Sequence, residues 1–356
     1  MIKVGLVGLG SIMRGVHIPG IRLSADYEIV ALCDVKRDVL DQQGVALGVP
    51  PERRFTDYRE LVALADVDAV DIATPNDVHA EIAIAALRAG KKVSCEKPLA
   101  LNAADAAKVA LVADETGLAN AVCFSYRFKA AARFARDIVR GGDLGKIHHV
   151  SIQYMQGWGL ESVGCPLVWR FVKSVTGSGA LGDLGSHAVD LVTFVTGQSC
   201  RRVVAHCGTE VHERVLPGDK TQKGPVDVDD YANFMAELDG GASACFQITR
   251  LAIGRGNYQR MEIYGAKGGL VYSLDDNGSG KDTLRVCLGE AMRRKGLYQE
   301  IEIPPCYKVS QMQCVADVFN GRGDGLVATL ADGSANMKVM DAVVKSAEDG
   351  TWVDCL

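Results

Sequence analysis

Along the first third of the chain, apolar residues gather in short solid runs separated by amphipathic stretches. The runs are IKVGLVG, EIVALCD, VDAVDIATP, KKVSCEKP and ANAVCFSYR, each leading into a polar or turn-forming residue. Among them, KRDVLDQQGVALG, DYRELVALA, HAEIAIAALRAG and AADAAKVALVADETG carry apolar positions at helical spacing. Solid apolar strands joined by crossover helices predict a parallel sheet covered on both faces, a doubly wound α/β fold.

The pattern changes near residue 128. After one more helical stretch, FKAAARFARDIVRGG, strand-like runs succeed one another without helices between them: HHVSIQYMQ, RVVAHCGTEV, DVDDYANFMAEL, SACFQITRL, YQRMEIYGA, GGLVYSL, TLRVCL and YQEIEI. Turns such as LDGGA, AKGG and DDNGSG separate several of them. This predicts a second, α+β domain with an open, mostly antiparallel sheet, interrupted by a helix around 180–196 and followed by helices near 309–320 and 334–348. The boundary falls near 122–128, giving domains 1–124 and 125–356. No internal repeat and no low-complexity linker breaks the chain.

With 356 residues, 48% hydrophobic and 23% charged, the chain can bury ordinary cores and does not read as disordered. A net charge of −5 without basic runs speaks against nucleic acid and membrane surfaces as partners. The apolar runs are too short to span a bilayer, and the start MIKVGLVGLG reads as a strand and not as a signal peptide, so the expected location is cytoplasmic. The 11 cysteines are scattered, without a C-x-x-C pair, as expected of reduced thiols.

Candidate chemistry begins where the first strand turns. Gly8 permits a tight turn, Gly10 lets the backbone approach a pyrophosphate, and Ser11, Ile12 and Met13 open the following helix. The usual third glycine is Met13 here. Asp34 ends the second strand about 20 residues on, where a carboxylate can bind an adenosine ribose hydroxyl and repel the 2′-phosphate of NADP. NAD is therefore the expected cofactor, with NADP allowed by the nearby Lys36 and Arg37. Thr74-Pro75-Asn76 with His79, and Glu96-Lys97-Pro98, end later strands, where ligands of open α/β sheets collect. Taken alone, Glu96-Lys97-Pro98 could equally be a surface ion pair before a turn proline.

In the stretch GSGALGDLGSHAVDLVTF, Asp183, His187 and Asp190 fall on one face if the segment is helical. Alone it allows a metal site, a proton relay or a core histidine with capping acids. A third strong metal ligand is missing nearby, so no metal is expected.

Together these segments resemble the Gfo/Idh/MocA oxidoreductase family: GLVGLGSI, Asp34, ATPNDVHAEIAIAALRAGKKVSCEKPLA and GSGALGDLGSHAVDLVTFVTG cover nearly the whole chain. The resemblance implies a Rossmann domain followed by an α+β domain whose open sheet buries itself in a homodimer or homotetramer. It implies NAD(P)-dependent hydride transfer at a secondary hydroxyl of a sugar, glycoside or inositol. By position, Lys97, Asp183 and His187 match the family's catalytic lysine, aspartate and histidine, and Arg127 and Lys129 resemble positions near the cleft.

Oxidising a secondary alcohol requires a hydride acceptor and removal of the hydroxyl proton. His187 suits the base, Asp183 can contact the substrate or tune the imidazole, and Lys97 can stabilise the reacting oxygen or relay the proton. Asp190 is as readily structural as functional. The irregular segment 156–179 is expected to recognise substrate through Trp158, Trp169 and Arg170, with Tyr154 a weaker candidate and His148-His149 structural. Two alternatives remain: a redox-neutral glycoside 3-oxidoreductase with tightly bound NAD(H), and a non-catalytic NAD(P)-sensing regulator.

Overall fold

The glycine-terminated first run forms β1 (Ile2–Val7), buried at every position but Lys3. A computed structural model describes residues 1–275 and 281–355; apart from Asp275, the turn DDNGSG lies outside the described residues. The chain divides into two compact units, 1–124 with 309–337 and 125–308 with 338–356.

In the first unit, β2 (Tyr27–Cys33), β3 (Arg54–Phe55), β4 (Ala69–Ile72), β5 (Lys92–Cys95) and β6 (Asn120–Val122) join β1 in a six-stranded sheet. The order is β3-β2-β1-β4-β5-β6 and every pair is parallel. This is the Rossmann order, with its switch point between β1 and β4, where ligands of such sheets bind. The crossover helices span 18–23, 37–47, 58–62, 79–88 and 103–116. Local signals set their ends: Asn102 accepts a hydrogen bond from the Asp105 N–H at 2.9 Å, and Gly117 closes the same helix at φ 61°.

The segment 309–337 joins this unit, although the pattern of strands and helices groups it with the second domain. Backbone pairing explains the return: Val122 N–H donates to Ala328 O at 2.8 Å, and Leu330 N–H donates to the Asn120 side chain at 2.8 Å. The Lys92 ammonium reaches Phe319 O at 2.6 Å, while Val315, Ala316 and Phe319 of the helix Gln311–Phe319 are buried.

The second unit is built on a nine-stranded sheet of β7 (Ile147–Met155), β8 (Cys200–Gly208), β11 (Tyr231–Leu238), β12 (Ser243–Thr249), β13 (Tyr258–Gly265), β14 (Gly269–Asp275), β15 (Asp282–Cys287), β16 (Gln299–Glu300) and β17 (Val353–Asp354). Its order is β16-β15-β14-β13-β7-β12-β11-β8-β17, antiparallel except where β7 meets β12. Alternate residues of the central strands are buried, among them Ile152, Phe234, Phe246 and Ile248, as period-two patterning requires. Phe234 and Phe246 stack across β11 and β12 with centroids 4.3 Å apart. Such a pair adds roughly 1 kcal/mol beyond its area burial. The helices 130–140 and 186–196 pack together, and β7 contacts the second of them.

A separate hairpin, β9 (Glu213–Leu216) with β10 (Asp219–Pro225), follows β8. Its sequence, ERVLPGDKTQKGP, is too polar to announce a strand pair.

Candidate active site

At the end of β1 the backbone turns at Gly8 with φ +85°, a left-handed conformation that disfavours any side chain. A Cβ there would also lie 2.7 Å from the Ala73 and Thr74 backbone, so β1 and β4 approach closely at the switch point. At Gly10 a Cβ would meet nothing within 4 Å. Asp34 braces the turn: its carboxylate accepts from Leu9 N–H at 2.7 Å and Lys36 N–H at 2.8 Å. The Thr74 hydroxyl oxygen is buried with no hydrogen-bond partner among the described residues. A tight glycine turn facing open space, an acid at the end of β2 and an orphan hydroxyl beyond β4 fit a dinucleotide.

Ser11 and Ile12 are exposed, whereas Met13 is fully buried in the core. The third-glycine slot is thus filled by a packing side chain. The helix widens there into a π turn, Met13–His17, before continuing as α-helix over Ile18–Leu23.

That π turn delivers a residue the sequence pattern does not single out. His17, 0% exposed, hydrogen-bonds Asp71 through Nδ1 at 2.7 Å and Glu96 through Nε2 at 3.0 Å. Burial alone would lower its pKa. The charges and hydrogen bonds of Asp71 and Glu96 outweigh burial and push it up to about 10, so the ring is an imidazolium at neutral pH. Glu96 in turn stays below its usual range: burial would raise it, but His17 and Lys97 prevail. Its other oxygen accepts the Lys97 N–H at 3.1 Å. His17 thereby ties the cofactor turn to the strand end that carries Lys97. The clue in the sequence is Asp71, a carboxylate inside an apolar strand run, which must find a partner.

His79 is fully buried, with Nδ1 2.8 Å from Pro98 O and Nε2 2.9 Å from Thr74 O. Burial pulls its pKa below the ordinary value against those two carbonyls. The ring links the turns after β4 and β5 and belongs to their framework. Pro75 is exposed, Asn76 is buried, and Lys97 is half-buried ahead of a cis peptide to Pro98.

In the second unit, the stretch GALGDLGSHAVD forms a π turn, Leu181–Gly185, running into the α-helix Ser186–Thr196. Asp229 anchors its start, accepting from Gly179 N–H at 2.6 Å and Leu181 N–H at 2.7 Å. Burial nevertheless raises the Asp229 carboxyl above its ordinary value. The contact requires Gly179, because a Cβ there would stand 1.8 Å from Asp229 O. Asp183 lies within the π turn, its side chain 21% exposed, and meets the Arg250 guanidinium at 3.2 Å.

His187, one turn further on, packs edge-on against Tyr126 with centroids 4.7 Å apart. Tyr126 and Tyr154 share a hydroxyl contact of 2.5 Å, and Asn257 donates to Tyr126 at 2.9 Å. Tyr154 is 3% exposed and burial pushes its phenol well up, so it supports the ring layer beneath His187. Asp190 is buried in an ion pair with Arg127, Nε to Oδ2 at 2.9 Å and Nη2 to Oδ1 at 2.5 Å. The Arg127 guanidinium therefore serves its own unit as the partner of Asp190.

Within the loop 156–179, Trp158 donates to Gln156 Oε1 at 2.6 Å and lies tilted on Phe171 at 5.4 Å. Arg170 stacks on Trp169 at 4.4 Å, both partly exposed. His149 bonds Ser243 at 2.8 Å and stacks on Tyr264. The Lys129 backbone precedes the helix 130–140.

Among the described residues, one set of three potential metal ligands lies within 4.8 Å: His17, Asp71 and Cys123. Both His17 nitrogens already face carboxylates, and the Cys123 thiol lies 3.4 Å from Ser94 Oγ, so the set reads as an ion pair beside a thiol. No helix among these residues is long and apolar enough to cross a membrane.

A Rossmann sheet with a glycine turn and an acid at the end of β2, in one chain with a sheet domain bearing an Asp–His helix, defines a nicotinamide-dependent oxidoreductase. Comparison with known families agrees: residues 2–124 match the oxidoreductase family NAD-binding Rossmann fold, and residues 132–271 match the GFO/IDH/MocA C-terminal domain. The chain belongs to the Gfo/Idh/MocA family and is an NAD-dependent dehydrogenase. It is 32% identical to levoglucosan dehydrogenase of Pseudarthrobacter phenanthrenivorans, over 99% of this chain and 98% of that protein. It is 29% identical to myo-inositol 2-dehydrogenase of Thermotoga maritima, over 75% and 73% of the two chains. A levoglucosan dehydrogenase solved with NADH and L-sorbose superposes with a TM-score of 0.89 at 30% identity, covering 100% of this chain and 99% of that one.

Proposed function

We propose that this protein oxidises a secondary hydroxyl of an uncharged cyclic polyol, a sugar, anhydrosugar or inositol, using NAD. The observation that carries the substrate class is the pairing of cations around the His187 helix. Two buried arginines there face carboxylates, Arg127 facing Asp190 and Arg250 facing Asp183. A phosphate or carboxylate on the substrate would compete with those acids. The partly exposed Asp183 carboxylate and the aromatic loop side chains suit hydroxyls and an apolar ring face instead. The relatives named for levoglucosan and myo-inositol act on substrates of this kind.

In this reading Gly8, Gly10, Asp34 and Thr74 hold the cofactor, and the nicotinamide, when bound, supplies the hydride acceptor. His187 takes the proton from the reacting hydroxyl. Lys97, held next to Glu96, is the cofactor-side cation suited to stabilise developing negative charge. Asp183 accepts from a neighbouring hydroxyl and so fixes which carbon faces the cofactor. Trp158, Trp169 and Arg170 line the sugar's approach. The protein works as a homo-oligomer joined through the solvent face of β7, β12 and β11, where Met235 is 51% exposed beside the Gln153–Gln247 pair.

The test is a panel of anhydrosugars, aldoses, inositols, glycosides and sugar phosphates with NAD and NADP, read at the nicotinamide absorbance. Turnover of neutral ring polyols with NAD is expected. Preference for sugar phosphates would contradict the reading. Cofactor that survives dialysis and turns over only between two sugars would point to the redox-neutral glycoside reaction.

A further inference from the structure

Arg250 follows β12 and is 0% exposed, the largest fully buried side chain of the described residues. Its guanidinium lies between aromatic faces, 4.9 Å from the Trp158 ring centroid and 5.8 Å from that of Phe171. One Nη2 donates to Gly179 O at 2.8 Å and to Asp183 Oδ2 at 3.2 Å; Nη1 donates to Arg170 O at 3.3 Å. Nε is buried without a partner among the described residues. A purely structural plug between Trp158 and Phe171 would be better apolar, because burying a cation costs more than packing returns unless an anion faces it. The carboxylate in contact with this cation is Asp183, and the buried Asp229 also feels its charge.

Backbone contacts make the arrangement rigid. Gly159 N–H donates to Arg250 O at 3.0 Å, and a Cβ at Gly159 would fall 2.7 Å from the Arg250 Cβ. Arg250 N–H is held by Asp230 O at 3.0 Å. One guanidinium therefore touches the start, middle and end of the segment 156–179 and also the acid that follows it.

We infer that Arg250 is a positioning residue of the active site: from a buried, immobile place it fixes the rotamer and charge of Asp183, and with it the presentation of the substrate ring to His187. This rests on the reading that Asp183 touches substrate. Lysine cannot reproduce it, since a single ammonium cannot bridge Arg170 O, Gly179 O and the carboxylate as a planar fork does.

The experiment is a double-mutant cycle on the holoenzyme with its best polyol substrate. Arg250→Lys should lower kcat/KM about 100-fold, the cost of a misplaced substrate contact, with the NADH dissociation constant unchanged. Asp183→Asn should lower it further. In Asp183→Asn/Arg250→Lys the second change should add less than about threefold, because the two residues act as one unit. Arg250→Gln is measured in parallel, so that failure of one variant to fold leaves the other. Wild-type kcat/KM in an Arg250 variant, or losses that multiply in the double mutant, would overturn the inference while leaving Asp183 in place. Wild-type activity in Asp183→Asn would instead overturn the reading on which it rests.

Discussion

Replacing His17 by glutamine tests the buried charge that joins the cofactor turn to the Lys97 strand end. In the wild type the ring pKa stands at about 10 against 6.5 for a free histidine. A raised pKa stabilises the folded state fully below pH 6.5, and the benefit is lost as the pH climbs through 10. At ~1.4 kcal/mol for each tenfold step in proton affinity, the contribution is at most about 5 kcal/mol. His17→Gln leaves Asp71 and Glu96 facing each other without the cation between them, and loss of a buried ion-pair partner costs about 3–5 kcal/mol. At pH 6 the variant should therefore be less stable by several kcal/mol, and the gap should close between pH 6.5 and 10. Every other group is common to both proteins, so the difference isolates the exchange at His17. Urea unfolding followed by circular dichroism is the assay. Tryptophan fluorescence would not report on the N-terminal unit directly, because Trp158, Trp169 and Trp352 all lie outside it. Parallel stability curves for the two proteins would refute the imidazolium.

Gly8→Ala should abolish NADH binding in a fluorescence titration, since its Cβ would strike the Ala73–Thr74 backbone at 2.7 Å. Retained affinity would show that β1 and β4 can move apart there. Asp34→Ala should weaken NAD and narrow its advantage over NADP; an unchanged ratio of kcat/KM values would remove Asp34 from the ribose site. Arg127→Met and Asp190→Leu should each cost about 3–5 kcal/mol, whereas the double variant should recover much of the loss, because an apolar pair replaces a buried ion pair at little cost. Additive losses in thermal or urea unfolding would contradict that.

The hydrophobic pattern announces both sheets because strands buried on two faces and strands buried on one carry different periods. The glycine turn, Asp34, Lys97, Asp183 and His187 stand out in the sequence as candidates because each lies where a strand ends or a helix opens at a readable signal. His17 is not, since its partners Asp71 and Glu96 lie 54 and 79 residues away. Arg250 hides for the same reason: it closes an ordinary alternating strand, and its partner Asp183 is 67 residues upstream. Neither π turn has a sequence signature, although one carries His17 and the other Asp183. Nothing in the sequence announces that Arg127, expected near the cleft, pairs with Asp190, 63 residues away. The return of 309–337 to the first sheet depends on single backbone pairings that no periodicity encodes.

The most direct test of the proposed chemistry is single-turnover reduction of NAD by the best polyol in His187→Ala and Lys97→Ala. Both should slow hydride transfer by a hundredfold or more, the range expected for general acid–base and electrostatic groups, while NADH binds as in the wild type. Wild-type transfer rates in both variants would contradict the account.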